Sequence, residues 1–245
     1  AILAAGNWRG AFYGYLIMIP FIIFMLFKLP EPEKKAEPAP AVGTKQSKLT
    51  TNTWVLILGN MLFMFCAYSF MTNVAIVITD MKLGTAQLSA NVLSSFVITS
   101  AVTGLFFGMV IRPLFKKYTI AVGMAFVGAS LTFLLTAQTV GHFFIGGILF
   151  GIGFSVYKTA LFLDVPASAH PSAAAMSMAM LMAFNGLGQF GSNIVLAFIS
   201  NILGFTGAKA GWMIAGPAIL IGTVVVILVK AFAKQKQEKP VESTH

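Results

Sequence analysis

The chain has 245 residues, of which 58% are hydrophobic and 9% charged, with a mean hydropathy of +0.87. A soluble domain carries about 25% charged residues, so the composition excludes one and implies an integral membrane protein. The formal charge of +9 is not a nucleic-acid signature, because the cations sit at the ends of apolar runs, where they set topology.

Those runs are long and continuous, without the alternation of a membrane β-strand. Helix is then the only way to satisfy their backbone in lipid, and the expected fold class is an all-α polytopic membrane protein. At roughly 20 residues per crossing, seven spans are predicted: 9–29, 53–79, 89–111, 119–138, 142–164, 173–200 and 211–230. Residues 1–29 hold the first span. Residues 30–52, rich in Pro, Lys, Glu and Ala, cannot bury a core and read as a linker. Residues 53–230 form a compact six-helix unit, and 231–245 a polar tail. The chain lacks an initiator Met and opens directly into a span, with no basic leader or cleavage-type site. We expect it to begin inside a larger protein. The single cysteine, Cys66, supplies neither an internal disulfide nor a metal cluster.

Placing the linker in the cytoplasm puts Lys28, Lys34, Lys35, Lys45, Lys48, Arg112, Lys116, Lys117, Lys230, Lys234, Lys236 and Lys239 inside. Only Arg9, Lys82 and Lys209 fall outside, which is the positive-inside pattern. The N-terminus is then outside and the C-terminus cytoplasmic.

The second span carries Asn60, Tyr68 and Asn73. The third carries Ser95, Thr99 and Thr103 on one helix face, and Gly104-x-x-x-Gly108, which allows close helix approach. A basic turn follows, Arg112-Pro113-Leu114-Phe115-Lys116-Lys117, either topogenic or gating. The fifth span carries Gly146, Gly147, Gly151 and Gly153, then Lys158, the one charge well inside an apolar span. Helical spacing puts Lys158 on a face with Gly147, Gly151 and Ser155, residues that leave room for it. A break is expected over Val165–Pro171. The sixth span carries Asn185, Gln189 and Asn193, four residues apart on one face. Gly186-x-Gly188-x-x-Gly191 copies a dinucleotide fingerprint, but mid-helix it lacks the strand–turn–helix context and reads as packing. The last span is bland except for Thr223 and reads as lipid-facing.

A charge at a helix centre costs about 2.5–3.5 kcal/mol on insertion scales, so Lys158 and the polar stripes point to a hydrated cavity shared between helices. The bland alternatives are snorkelling of Lys158 to the interface and interhelical hydrogen bonds by the amides. The seven carboxylates, Glu31, Glu33, Glu37, Asp80, Asp164, Glu238 and Glu242, lie in tails, linker or span ends. No catalytic constellation and no metal motif is present in the sequence, and no enzyme is expected.

Asn7-Trp8-Arg9-Gly10-Ala11-Phe12, with Leu29-Pro30-Glu31-Pro32 after the first span, resembles the sixth helix of the major facilitator superfamily and its exit into the central loop. Gly108 to Arg112 with Lys116-Lys117 resembles a degenerate copy of that family's loop motif, here without its acid. The fifth span ending in Val165-Pro166, and the Gly186–Gly191 run, are similar to its tenth and eleventh helices. The resemblance implies a six-helix transporter half-bundle, preceded by one helix of an N-terminal half, in a bacterial-type inner membrane. It implies alternating access by a secondary transporter, with solute held between two half-bundles. Substrate-binding candidates are Lys158, Asn185, Gln189, Asn193, Ser95, Thr99, Asn60 and Tyr68, and gating candidates are Arg112, Lys116 and Lys117. Expected partners are the lipid bilayer, a small-molecule substrate and the N-terminal half-bundle, with no nucleic acid. No cofactor is expected beyond a possible coupling proton. Proton-coupled drug or metabolite efflux is the first reading. An organic-anion exchanger or uptake carrier built on Lys158 is the second, and a non-transporting membrane subunit or scaffold is the rival from another class.

Overall fold

A computed structural model describes residues 16, 18–28 and 48–238, with side chains as far as Phe232. The Asn7–Phe12 motif, the linker from Leu29 to Ser47 and the last seven residues lie outside the described residues. The chain divides into two units, Ala1–Gln46 and Ser47–His245. The first contains α1 (Met18–Lys28), a fully apolar helix closed by Lys28, with every side chain exposed.

Among the described residues the second unit has helices and no strands, with α2 (Thr51–Asp80), α3 (Ala86–Phe106), α4 (Thr119–Leu135), α5 (Val140–Ser168), α6 (Ala174–Leu203) and α7 (Ala210–Glu238). Five stretches are long and apolar enough to cross a membrane. The longest, Ala86–Leu135, holds both α3 and α4, so the five stretches contain six helices. Between those two the chain widens into a π turn at Phe107–Ile111, makes one α turn at Arg112–Phe115, and reverses at Lys116 with φ 47°. A positive φ on a lysine is strained, and it sits in the basic turn.

α5 is the central rod, packed against α2, α3, α4 and α6, while α2 also packs on α6 and α7, and α4 on α7. Exchanging α2–α3–α4 for α5–α6–α7 preserves these neighbour relations. Three is an odd number of crossings, so the two halves of this repeat are inverted in the membrane. Its core is aromatic: Phe70 stacks on Phe150 at 4.4 Å, Phe96 meets Phe150 edge-on at 5.5 Å, and the buried Trp212 donates its Nε1–H to the Ser69 carbonyl at 3.1 Å.

Glycine sets the helix spacing, as it does where lipid supplies no hydrophobic drive. A Cβ on Gly153 would lie 2.7 Å from the Gly123 carbonyl oxygen and the Val127 nitrogen, so α4 and α5 touch backbone to backbone. Ser130 Oγ then donates to the Gly146 carbonyl at 2.8 Å across the same contact. Gly147 and Gly151 seat α5 against the Val92 and Phe96 carbonyls of α3. They do not clear space for Lys158, as the helical spacing suggested; they dock a neighbouring helix.

The expected break over Val165–Pro171 begins later, because α5 continues through Pro166 to Ser168. Pro166 leaves the Phe162 carbonyl without its helical donor, and beyond it hydroxyls take up carbonyls left free by the end of the helix. Ser168 Oγ donates to the Val165 carbonyl at 2.8 Å, and Thr50 Oγ1 donates to the Ser168 carbonyl at 3.0 Å. α7 continues past the expected boundary at Lys230 and is described as far as Glu238.

Candidate functional site

Three helices bring the central polar groups together. α5 presents Lys158 on the turn after Ser155, and α6 presents Asn185 from the face opposite its exposed Leu187 and Phe190. Lys158 Nζ donates to Asn185 Oδ1 at 2.6 Å. The same oxygen accepts a longer contact, 3.4 Å, from Nδ2 of Asn60 on α2. Asn60 is fully buried, and its Oδ1 receives the Tyr157 hydroxyl at 3.5 Å. The Tyr157 ring is itself fixed by stacking on Phe63 at 3.8 Å. The ammonium also lies 4.8 Å from the centre of the Phe162 ring, one turn further along α5. A cation over an aromatic face gains about 0.5–2 kcal/mol as it is desolvated, so Lys158 is held inward by an amide on one side and a ring on another. It is not a side chain reaching away to the interface.

The other candidates separate into groups. Asn193 Oδ1 accepts from Thr72 Oγ1 of α2 at 2.9 Å, so two of the three α6 amides are engaged across helices. Gln189, between them on the same face, is half-buried. Tyr68 is half-buried one turn before Thr72 on α2. Ser95 and Thr99 stand elsewhere, at the α3–α5 contact: Ser95 Oγ donates to its own helix at the Val92 carbonyl, 2.7 Å, and Thr99 lies beside Gly151. The structure does not bring them to Lys158.

At the end of the bundle formed by the basic turn, Arg112, Lys116, Lys117 and Thr119 line a cavity of about 390 Å³ with Asp164 of α5. The loop pattern lacked its acid in sequence; here a carboxylate from another helix faces the same cations. Lys230 of α7 ties down the turn by donating to the Lys117 carbonyl at 2.5 Å. Sequence reading missed Tyr157, Phe162 and Asp164. Phe162 stands four residues after Lys158 and so was reachable by helical spacing. Tyr157 and Asp164 depend on which helices become neighbours. Among the described residues, no group of His, Cys, Asp and Glu has the makings of a metal site.

The second unit is thus a six-helix bundle built on a three-helix repeat, with polar side chains converging from α2, α5 and α6. The sequence profile of the Major Facilitator Superfamily matches residues 1–192. The chain belongs to that superfamily and is an integral membrane protein of major facilitator transporter type. No curated protein and no solved structure matches it.

Proposed function

We propose that this chain carries the solute site of a secondary transporter for a small organic anion, with Lys158 as the binding cation. One observation supports the reading above all: the Lys158 ammonium is held within the bundle by a neutral amide oxygen at 2.6 Å. The carboxylates among the described residues, Asp80, Asp164 and Glu238, lie at or near helix ends. An amide steadies an ammonium without cancelling its charge, and in a medium of low dielectric the remaining field is strong. An anionic head completes the pair, while Phe162 offers an apolar edge to the rest of the solute. A cationic drug would meet like charge there.

Asn185 supplies the resting partner. In the empty site it holds the ammonium, and in the loaded site the anion takes its place, so Lys158 is never left bare as the two half-bundles rock about the site. The empty site keeps its positive charge, which makes return without cargo unfavourable and favours exchange of one anion for another. Proton-coupled efflux, the other transport reading, needs an intramembrane titrating group; this chain's seven carboxylates place none in mid-span, which leaves Lys158 or the N-terminal half to supply it. The basic end of the bundle faces the cytoplasm of a bacterial-type inner membrane in this reading, with Arg112, Lys116, Lys117 and Asp164 closing that side.

The test is counterflow of radiolabelled organic anions in proteoliposomes holding the whole transporter. Lys158→Ala is expected to abolish exchange, and Lys158→Arg to retain part of it. Normal exchange of anions by both variants removes Lys158 from the site. No flux of any solute in the parent protein returns the non-transporting scaffold as the answer.

A further inference from the structure

α3 runs into a π turn at Phe107–Ile111, the chain makes one α turn at Arg112–Phe115, and Lys116 reverses it in the left-handed half of backbone space. A non-glycine residue held there is strained, and such strain gathers at functional positions. The turn is fastened on both sides of the reversal. Thr119 Oγ1 donates to the Lys116 carbonyl at 2.6 Å, and Lys230 of α7 holds the Lys117 carbonyl.

The fastened turn and α5 enclose the cavity of about 390 Å³. Phe107 and Ala160 form its apolar wall, and its charged lining is Arg112, Lys116 and Lys117 against Asp164. Three cations face one carboxylate. Lys117 Nζ also lies 5.0 Å from the centre of the Tyr118 ring, a contact that leaves its charge uncancelled. The complement of this lining is an anion, and Arg112 adds the planar fork that pairs with phosphate oxygens.

The surroundings narrow the kind of anion. Met109 in the π turn and Leu114 in the α turn are 72% and 68% exposed, and Leu105 before them on α3 is equally open. The turn joins two membrane-crossing helices, so its cations stand at headgroup depth beside an apolar surface that acyl chains can cover. Basic pockets between membrane helices at this depth hold anionic headgroups.

We propose that this cavity is a headgroup site for an anionic phospholipid of the phosphatidylglycerol type. The phosphate takes Arg112, Lys116 and Lys117, and the head hydroxyls donate to Asp164. The acyl chains lie along Leu105, Met109 and Leu114. A zwitterionic head adds no net charge and leaves the excess of cations unmet. The bound lipid fastens the α3–α4 turn to the bilayer surface. The assignment does not rest on Lys158 binding an anion.

The test is native mass spectrometry of the whole transporter in detergent, titrated with dioleoylphosphatidylglycerol or dioleoylphosphatidylethanolamine, which share their tails and differ in net charge. Phosphatidylglycerol is expected to bind saturably and about tenfold more tightly. One basic residue beside an anionic lipid changes binding about fivefold, so the Arg112→Gln, Lys117→Gln double variant is expected to weaken it about 25-fold. Should that variant fold poorly, Lys117→Gln alone is expected to weaken it about fivefold. Lys82→Gln removes a cation from the opposite end of the bundle, between α2 and α3, and is expected to leave binding unchanged. Glycerol 3-phosphate, a head without tails, is expected not to displace the lipid. Equal binding of the two lipids, unaltered binding in the cavity variants, an equal loss in Lys82→Gln, or displacement by glycerol 3-phosphate, which marks a site for free phosphate, overturns the proposal. Anion counterflow through Lys158 is read separately, so either site can fail without the other.

Discussion

Two helix crossings in this bundle use the same device, and they differ in the side chains that surround it. Where α5 crosses α3, Gly151 meets the Phe96 carbonyl, and Ser155, four residues on, donates to the Ser100 carbonyl at 2.8 Å. Where α6 crosses α2, Gly188 meets the Met61 carbonyl, and Ser192, again four on, donates to the Phe65 carbonyl at 2.7 Å. In both a glycine brings two parallel helices together and a serine fastens them one turn later. Around the first crossing the seam is closed by Ser100 donating back to the Gly151 carbonyl at 3.0 Å and by the Phe96, Phe150 and Phe154 rings. Around the second stand Asn60 and Asn185 on one side and Thr72 and Asn193 on the other, with Lys158 drawn in from α5. The glycine–serine clasp is therefore architecture, and the proposed solute site lies among the polar residues that flank one copy of it.

The largest effects come from prying each clasp open. Gly151→Leu and Gly188→Leu each drive a side chain into a backbone carbonyl 2.7 Å from the glycine's notional Cβ. Overpacking costs about 1–3 kcal/mol or more, and against backbone the upper end applies. Both variants should lose most folded protein, read as the monodisperse peak in detergent. If Gly188→Leu folds normally while Gly151→Leu does not, the α2–α6 crossing is not fastened as described and the comparison breaks.

Next in size is Asn185→Leu, which removes the neutral partner of an ammonium within the bundle. Hydrogen bonds to charged groups contribute about 1.5–3 kcal/mol, and the exposed part of Lys158 places the expected loss of thermal stability toward the lower figure. Lys158→Met alone should leave stability unchanged or raised, since apolar replacement of buried ionic groups often stabilises. The double variant should regain stability, giving a coupling energy in a double-mutant cycle, yet still fail to exchange anions. Additive stabilities would show that the 2.6 Å contact is not an energetic pair.

How much of this was legible beforehand follows from the range of each signal. The six crossings of the second unit, the basic turn and the amide face of α6 are local patterns of hydropathy and spacing. They needed no knowledge of neighbours. The pairing of Lys158 with Asn185 was reachable in kind, because an intramembrane cation needs a polar partner, but Asn185, Gln189 and Asn193 were equivalent in sequence. Ser95 and Thr99 looked like a second polar stripe, and the structure places them against the glycines of α5. Hydroxyls can bond their own helix, so spacing alone does not separate a wet face from a fastened one. Asp164 was set aside as a span-end residue. Its position opposite Arg112, Lys116 and Lys117 appears only once α5 packs beside the end of α3.

The smallest effects make the sharpest comparison. Ser155→Ala and Ser192→Ala each delete one interhelical hydrogen bond, and such bonds in membrane helices average about 0.6 kcal/mol, so the two variants should lose similar, small amounts of thermal stability. Their transport should differ. Ser155→Ala loosens a seam that carries no site residue and should leave anion exchange near the parent rate. Ser192→Ala relaxes the crossing that sets the distance from Asn185 to Lys158 and Asn60, and a displacement near 1 Å at a binding group can lower rates about 100-fold. Thr72→Val, which frees the exposed Asn193 at the edge of the same seam, should fall between them in transport with almost no stability change. Equal transport in Ser155→Ala and Ser192→Ala would mean that the two crossings are interchangeable, and that the polar residues beside α6 serve packing alone.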